Sequence, residues 1–281
     1  LILMLFNQSI KTSDITVILL LYNTPEKKLQ NLQNYKEFNF LILDQSGDYI
    51  TKEKVFKLLP NISYYKVSDQ NKGFAKGINF LSKKVKTKFF LCTQVDVKIN
   101  IKSIIELKKA FLKKKDCIIS VPNFRTNKKI KKNKSIAKIN KFIGAIFLTE
   151  KSKFDKIGKF DENFFFYWED EDLSKRIEKS KKFNIYKCFN SFSNHNNGKS
   201  TKTSKKNYFI RTSNFKFGEY LYQYKNNKLK LIKLIREPIL RIFLIILYAI
   251  FFKKSLFYRN LYLLLGILKF FKILFLNSKL K

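Results

Sequence analysis

The sequence predicts an α/β fold, a mostly parallel sheet flanked by helices, followed by a helical extension of different character. Two observations carry this. Short apolar runs at 15–21, 40–43, 62–67 and 88–93 alternate with helical patterns, the order expected of strand–helix–strand units. From Leu229 to Lys281 that alternation stops, and long apolar segments are punctuated by Arg236, Arg241, Lys253, Lys254, Arg259, Lys269 and Lys272. The expected division is a sheet domain over 1–228 and a basic, amphipathic helical extension over 229–281.

Each element has its own warrant. Ile15 to Leu21 is an uninterrupted apolar run ending in Tyr22-Asn23; Thr24-Pro25-Glu26 then opens a helix, with Pro near the first helical position. Phe40 to Leu43 is a second strand, closed by Asp44 and a Gln45-Ser46-Gly47-Asp48 turn, and Ile62 to Val67 is a third. Gly73 to Lys84 reads as a helix, and Lys88 to Thr93 as a strand ending at Gln94-Val95-Asp96. A helix over Ile101 to Lys113 and a strand over Cys117 to Val121 follow. Arg125 to Lys141 is lysine-rich and apolar-poor, which predicts a mobile loop. Phe142 to Thr149 predicts a buried strand with Gly144 inside it, and Glu150 to Ile157 a short helix that Gly158 caps. A strand near Asn184 to Cys188 leads to a polar loop, Asn194 to Ser200, holding the chain's one histidine, His195.

Composition bounds the function. With 281 residues and 45% hydrophobic content the chain can bury a full core, which excludes a disordered protein. The formal charge of +37 comes almost wholly from lysine, whereas planar, bidentate recognition of bases and phosphates favours arginine. Such a field attracts anions of any kind, whether nucleic acid, an anionic leaflet or a phosphorylated substrate. Cys92, Cys117 and Cys188 have neither the parity of a disulfide framework nor the spacing of a zinc site, which suits a reducing cytoplasm. Leu1 to Phe6 is too short for a signal sequence and lacks a basic flank, so no export signal is expected. Ile242 to Phe252 is shorter than the roughly 20 apolar residues that span a bilayer. Two amphipathic helices lying in a membrane interface are therefore expected over 229–281; packing on the sheet domain or on a second subunit is the alternative.

Candidate chemistry sits at predictable places. Ligands of parallel α/β sheets bind beyond the carboxyl ends of the strands, and Tyr22, Asp44 and Asp96 share that rim, although each also suits a turn or a cap. Asn71-Lys72-Gly73-Phe74-Ala75-Lys76-Gly77-Ile78-Asn79 puts two glycines around a helix start, where free N–H groups can meet phosphate or ribose oxygens. Phe160 to Arg176 runs from an aromatic wall, Phe164 to Trp168, into four acids, Glu169 to Asp172, at the first turn of a helix. Acids beside apolar surface gain proton affinity, which is one way to make a general base. The same acids also suit the helix dipole, with Asp172 and Arg176 as a supporting i,i+4 pair.

In order and spacing these residues resemble the family 2 glycosyltransferases, inverting enzymes with the GT-A fold, and among them the bacterial rhamnosyltransferase-like branch. The shared features are a first strand ending in Tyr22-Asn23, the Asp44-Gln45-Ser46 turn, and Asn71, Gly73, Gly77 and Asn79 in an Asn-x-Gly-x-x-x-Gly-x-Asn segment. The Gly144 to Leu148 strand, Gly158 to Phe165, the acidic Glu169 to Leu173 and the later His195 complete them. The resemblance covers roughly residues 14 to 225 and implies that 1–228 is a GT-A catalytic domain. It implies that Tyr22, Asn23 and Asp44 hold a nucleotide base, that Asn71, Gly73 and Asn79 line the sugar-nucleotide cleft beside Gln94, and that Asp96 and His195 bind Mg²⁺ or Mn²⁺. Asp170 would be the general base and Glu169 would shape the acceptor pocket. One departure stands out: Gln94-Val95-Asp96 replaces the usual Asp-x-Asp or Asn-Pro-Asp, and an amide oxygen is a weaker metal ligand than a carboxylate. The implied reaction moves a sugar from a dTDP- or UDP-sugar to a hydroxyl of a cell-surface glycan or lipid-linked acceptor. The expected place is the cytoplasm, peripherally attached to the inner face of the cell membrane, with no nucleic-acid partner. Two alternatives stay open: an inactive member acting as a membrane scaffold, and a basic nucleic-acid-binding protein.

Overall fold

The computed structural model describes residues 12–47, 49–124, 135–195, 200, 201 and 204–276. Asp48, most of the lysine-rich stretch read as a loop (125–134), four residues of the histidine loop (196–199) and both ends of the chain lie outside the described residues.

Strand β1 (Ile15–Leu21) has one polar side chain, Thr16, and is buried almost throughout, as a strand covered on both faces must be. It runs parallel to β2 (Asn39–Asp44) on one side and to β4 (Phe89–Thr93) on the other, and β2 is parallel to β3 (Ile62–Val67). Beyond β4 the sheet becomes mixed. Its members there are β5 (Val97–Ile99), β6 (Cys117–Phe124), β7 (Ile136–Ile139), β8 (Phe147–Glu150) and β9 (Asn184–His195). The order among the described residues is β3-β2-β1-β4-β8-β6-β9-β5, with β7 pairing off that path with β9. Strand β8 is antiparallel to both its neighbours, β9 is parallel to β6, and β5 and β7 are antiparallel to β9.

Helices α1 (Glu26–Leu29), α2 (Ile50–Leu58), α3 (Phe74–Ser82), α4 (Ile101–Lys113), α5 (Lys151–Lys156) and α6 (Glu169–Ser180) are interleaved with these strands. A 3-10 segment, Gln30–Tyr35, prolongs α1. Helix α4 starts where Asn100 Oδ1 accepts a bond from Ser103 N, and its inward face buries Ile104, Leu107, Ala110 and Phe111. The aromatic core around Phe160 packs edge to face with Phe74, Phe147 and Phe154.

Three expectations are corrected. Phe142 to Thr149 is not one strand: residues 144 and 145 form a turn and the strand begins at Phe147, because the Gly144 N–H is spent on a side chain rather than on the ladder. Ile136–Ile139, within the stretch read as a loop, is a strand held by β9. His195 is not in a loop either; it closes β9, paired with Val97.

By its contacts the chain divides into two units, Leu1–Asp161 with Asp170–Lys202, and Glu162–Glu169 with Thr203–Lys281. The boundary read from composition at Lys228 falls inside the second unit. That unit holds α7 (Lys205–Lys225), α8 (Leu231–Ile250) and α9 (Lys254–Leu276). Its core is Phe164, Phe217, Tyr220, Leu221, Tyr222, Ile267 and Phe270. Helix α9 crosses α7 at Gly266, where a Cβ would stand 2.3 Å from the Ser213 carbonyl oxygen.

Candidate active site

The rim is built from the carboxyl ends of parallel strands, and short-range hydrogen bonds fix it. Asn23 takes a left-handed φ of 45° after β1, and its N–H donates to Ser46 Oγ at 2.8 Å. That joins the Tyr22-Asn23 and Asp44-Gln45-Ser46 motifs. Asp44 is fully buried; its Oδ1 accepts from Ser46 N at 2.9 Å and its Oδ2 from the Tyr65 hydroxyl at 3.0 Å, while Tyr22 is half-buried.

Gln45, which occupies the variable position of its motif, ties the glycine segment to this rim. Its Oε1 accepts from Lys72 N at 2.8 Å and its Nε2 donates to the Gly73 carbonyl at 3.4 Å. Asn71 Oδ1 accepts from Gly73 N at 2.9 Å, and Gly73 takes a φ of 83° at the start of α3 that side-chain-bearing residues rarely adopt. Asn79 behaves differently from the expected cleft residue. It is 3% exposed, its Nδ2 donates to the Phe160 carbonyl at 2.8 Å and its Oδ1 accepts from Phe160 N at 3.1 Å. Both ends of its amide are thus spent on the backbone of the Gly158 to Phe165 motif, and it holds that motif in place.

Asp96 and His195 meet. The Val97–His195 pairing of β5 and β9 brings His195 Nε2 to 3.7 Å from Oδ2 of the fully buried Asp96. Gln94 is half-buried in the same turn, where its carbonyl accepts from Val97 N at 3.0 Å. Sequence reasoning missed what steadies this turn: Asn31 Nδ2 donates to the Val95 carbonyl at 2.8 Å and the buried Tyr35 hydroxyl to that of Val97 at 3.1 Å. No sequence motif marks Asn31 or Tyr35. Among the described residues no three His, Cys, Asp or Glu side chains cluster as a full metal cage. One carboxylate and one imidazole nonetheless fit Mg²⁺ or Mn²⁺, because such ions complete their shells with water and substrate phosphates.

The four acids at the head of α6 part company. Glu171 pairs with Lys141 at 2.7 Å. Asp172 is buried and pairs with Arg176 Nε at 2.8 Å, while the rest of that guanidinium donates to the Ile157 and Lys159 carbonyls and so fastens the Gly158 turn. Glu169 is buried. Asp170 is half-buried, and among the described residues its carboxylate accepts backbone bonds from Gly144 N and from Glu171 N, each at 2.9 Å. Among the described residues no cation sits on it. Desolvation, with repulsion from Glu171 added, pushes the Asp170 carboxyl above the usual carboxylate range against the pull of those two N–H groups. A Cβ on Gly144 would lie 3.6 Å from Asp170 and 3.6 Å from Phe74, so the start of α3 and the head of α6 share one neighbour.

Just before these acids, Tyr167 and Trp168 take left-handed φ values of 72° and 73°. Two such consecutive non-glycine residues cost about 1–3 kcal/mol each and must be held from outside. Arg211 Nε donates to the Tyr167 hydroxyl at 2.9 Å, and the Trp168 ring lies against Phe215 and Tyr222.

No family model matches the chain, and no curated protein does. Solved structures do resemble it. A mannosyltransferase from Pyrobaculum calidifontis in complex with GDP-Man and Mn²⁺ superposes with a TM-score of 0.58 at 12% identity, over 92% of this chain and 87% of that one. The fold is GT-A. The structure of GalNAc-T7 with UDP, GalNAc and Mn²⁺ matches with a TM-score of 0.52 at 12% identity, over 76% of this chain. This chain spans only 50% of that larger GT-A protein.

Proposed function

We propose that the chain is an inverting glycosyltransferase that moves a sugar from a dTDP- or UDP-sugar to a hydroxyl of a cell-surface glycan or lipid-linked acceptor at the inner face of the cell membrane. The observation that carries this reading is Asp170: within a GT-A fold, it is the acid at the head of α6 that has, among the described residues, neither a cationic partner nor full burial. Nucleotide and Mn²⁺ in the two neighbouring structures support the donor class.

In this mechanism Tyr22, Asn23 and Asp44 receive the base end of the donor, and the Asn71 to Gly73 turn, whose Lys72 and Gly73 N–H groups are held by Gln45 Oε1 and Asn71 Oδ1, lines the cleft beside it. Asp96 and His195 would hold a divalent ion, which when bound would supply charge neutralisation for the departing diphosphate. Asp170, its proton affinity raised, takes the proton of the acceptor hydroxyl as that oxygen attacks the anomeric carbon from the side opposite the leaving group. Glu169 helps shape the acceptor side.

A thermal-shift screen of dTDP-, UDP- and GDP-sugars with Mg²⁺ or Mn²⁺ tests the donor, because a ligand at about a hundred times its Kd stabilises by about 2.7 kcal/mol. One nucleotide should raise Tm in a chelator-sensitive way, His195→Ala should weaken the effect and Gln94→Asp strengthen it. No response to any donor, with or without metal, would sink the enzymatic reading in favour of an inactive scaffold, which Gln94 in place of a carboxylate also suits. The anomeric configuration of the product decides inversion.

A further inference from the structure

Helix α8 is inside out. A surface helix in water turns its charges outward and its apolar stripe inward. In α8, Lys233, Glu237 and Arg241 are turned toward the protein. Glu237 meets Lys216 at 2.6 Å, Arg241 at 3.1 Å and the Tyr220 hydroxyl at 2.9 Å; Lys233 bonds Glu219, and Arg241 also donates to Asn260 at 2.9 Å. The opposite face carries Ile232, Ile235, Ile239, Phe243, Ile246 and Ile250, spaced three or four residues apart, each between 55% and 65% exposed. No residue of α8 is buried. At its end Phe251 and Phe252 are 62% and 91% exposed, followed by exposed Lys253 and Lys254.

Helix α9 is different. It buries Leu263, Ile267 and Phe270 and crosses α7 at Gly266, so it serves as the support on which α8 is displayed.

We infer that the outward face of α8, ending in the Phe251-Phe252 turn, docks flat on an anionic lipid surface. Charge selects this occupant. Glu237 is the only acid from Leu221 to Lys281 and is turned inward, so the rim of the stripe offers only cations: Arg236, Lys253, Lys254 and Arg259. A second copy would bring cations against cations, whereas an anionic headgroup layer receives them and the acyl boundary receives the isoleucines. Among the described residues no helix is long and apolar enough to cross a membrane, which leaves α8 lying in the interface plane. This deepens the membrane placement proposed above and is independent of sugar transfer.

The test is co-sedimentation of the full chain with phosphatidylcholine vesicles with and without phosphatidylglycerol. Wild type should bind the anionic vesicles and bind the neutral ones much less. Ile239→Glu with Phe243→Glu should lower anionic-vesicle binding by at least about tenfold, since two large apolar side chains leave the contact. The same double variant should keep its melting temperature, both sites being exposed. Arg236→Glu should weaken binding and make it less salt-dependent. Equal sedimentation of wild type and double variant, equal binding to both lipids, or a dimer that the double variant dissolves without any lipid binding would each overturn the inference. All of these outcomes leave the donor screen untouched.

Discussion

Asp170 and Asn79 show how two polar residues of similar size do opposite work. Asp170 accepts two backbone N–H bonds, and its affinity for a proton is raised by desolvation. Activity should therefore fall as pH drops through that raised value, at a pH above the range of an ordinary aspartate, and the pH profile of kcat/KM checks it. For stability the sign is reversed: a raised carboxyl favours the fold below its unfolded value near 3.9, and that contribution fades as pH rises through the folded one. Asp170→Asn should leave donor binding near normal and lower turnover by roughly 10²–10⁴-fold. Asn79 has no such freedom, because it satisfies both the N–H and the carbonyl of buried Phe160. Asn79→Ala should cost about 2–6 kcal/mol in denaturant unfolding, as each of the two orphaned groups costs about 1–3 kcal/mol. A small stability loss with a large loss of donor affinity would instead return Asn79 to the cleft.

At the scale of elements, the α7–α9 crossing sets a sharp steric test. Gly266→Val places atoms where the Ser213 carbonyl oxygen already stands, so the helices must part or the chain must bend. Overpacking of this kind costs about 1–3 kcal/mol, read as a lowered denaturant midpoint, and α8 should loosen with it. Elements with an undivided local cause were legible beforehand. Ile15–Leu21, Ile62–Val67 and Ile101–Lys113 have the bounds their apolar pattern predicts. Strands β5 and β7, three and four residues long, carry no period to detect and exist because β9 lends them an edge. The start of β8 was illegible for a related reason, since Gly144 gives its N–H to Asp170, 26 residues ahead. The site divides in the same way. The candidate residues Tyr22, Asp44, Asp96 and Asp170 stand out by motif, while the bonds by which Gln45 ties the Lys72–Gly73 turn and Asn31 and Tyr35 steady the turn around Asp96 leave no mark in the sequence.

For the whole molecule a formal charge of +37 repels itself, and lowering the pH raises it further as carboxylates protonate. Glu237 resists this well below the ordinary carboxylate range. Against the desolvation of its site, hydrogen bonds and charge from Lys216, with Arg241 and Tyr220, hold its carboxyl down at about 2. A depressed carboxyl stabilises above its unfolded value and loses that contribution as pH falls from about 4.5 toward 2, so acid melts of wild type and Glu237→Gln should converge there. The partners of Glu237 also carry an arithmetic imbalance. Among the described residues Lys216, Lys233 and Arg241 share two acids, Glu219 and Glu237, leaving one positive charge in excess. Removing a cation balances the cluster; removing an acid leaves three cations around one carboxylate. Lys233→Met should therefore be tolerated far better than Glu237→Gln in a thermal melt at neutral pH. Lineages of this chain would then be free to lose that lysine while the lone acid of the extension stays fixed.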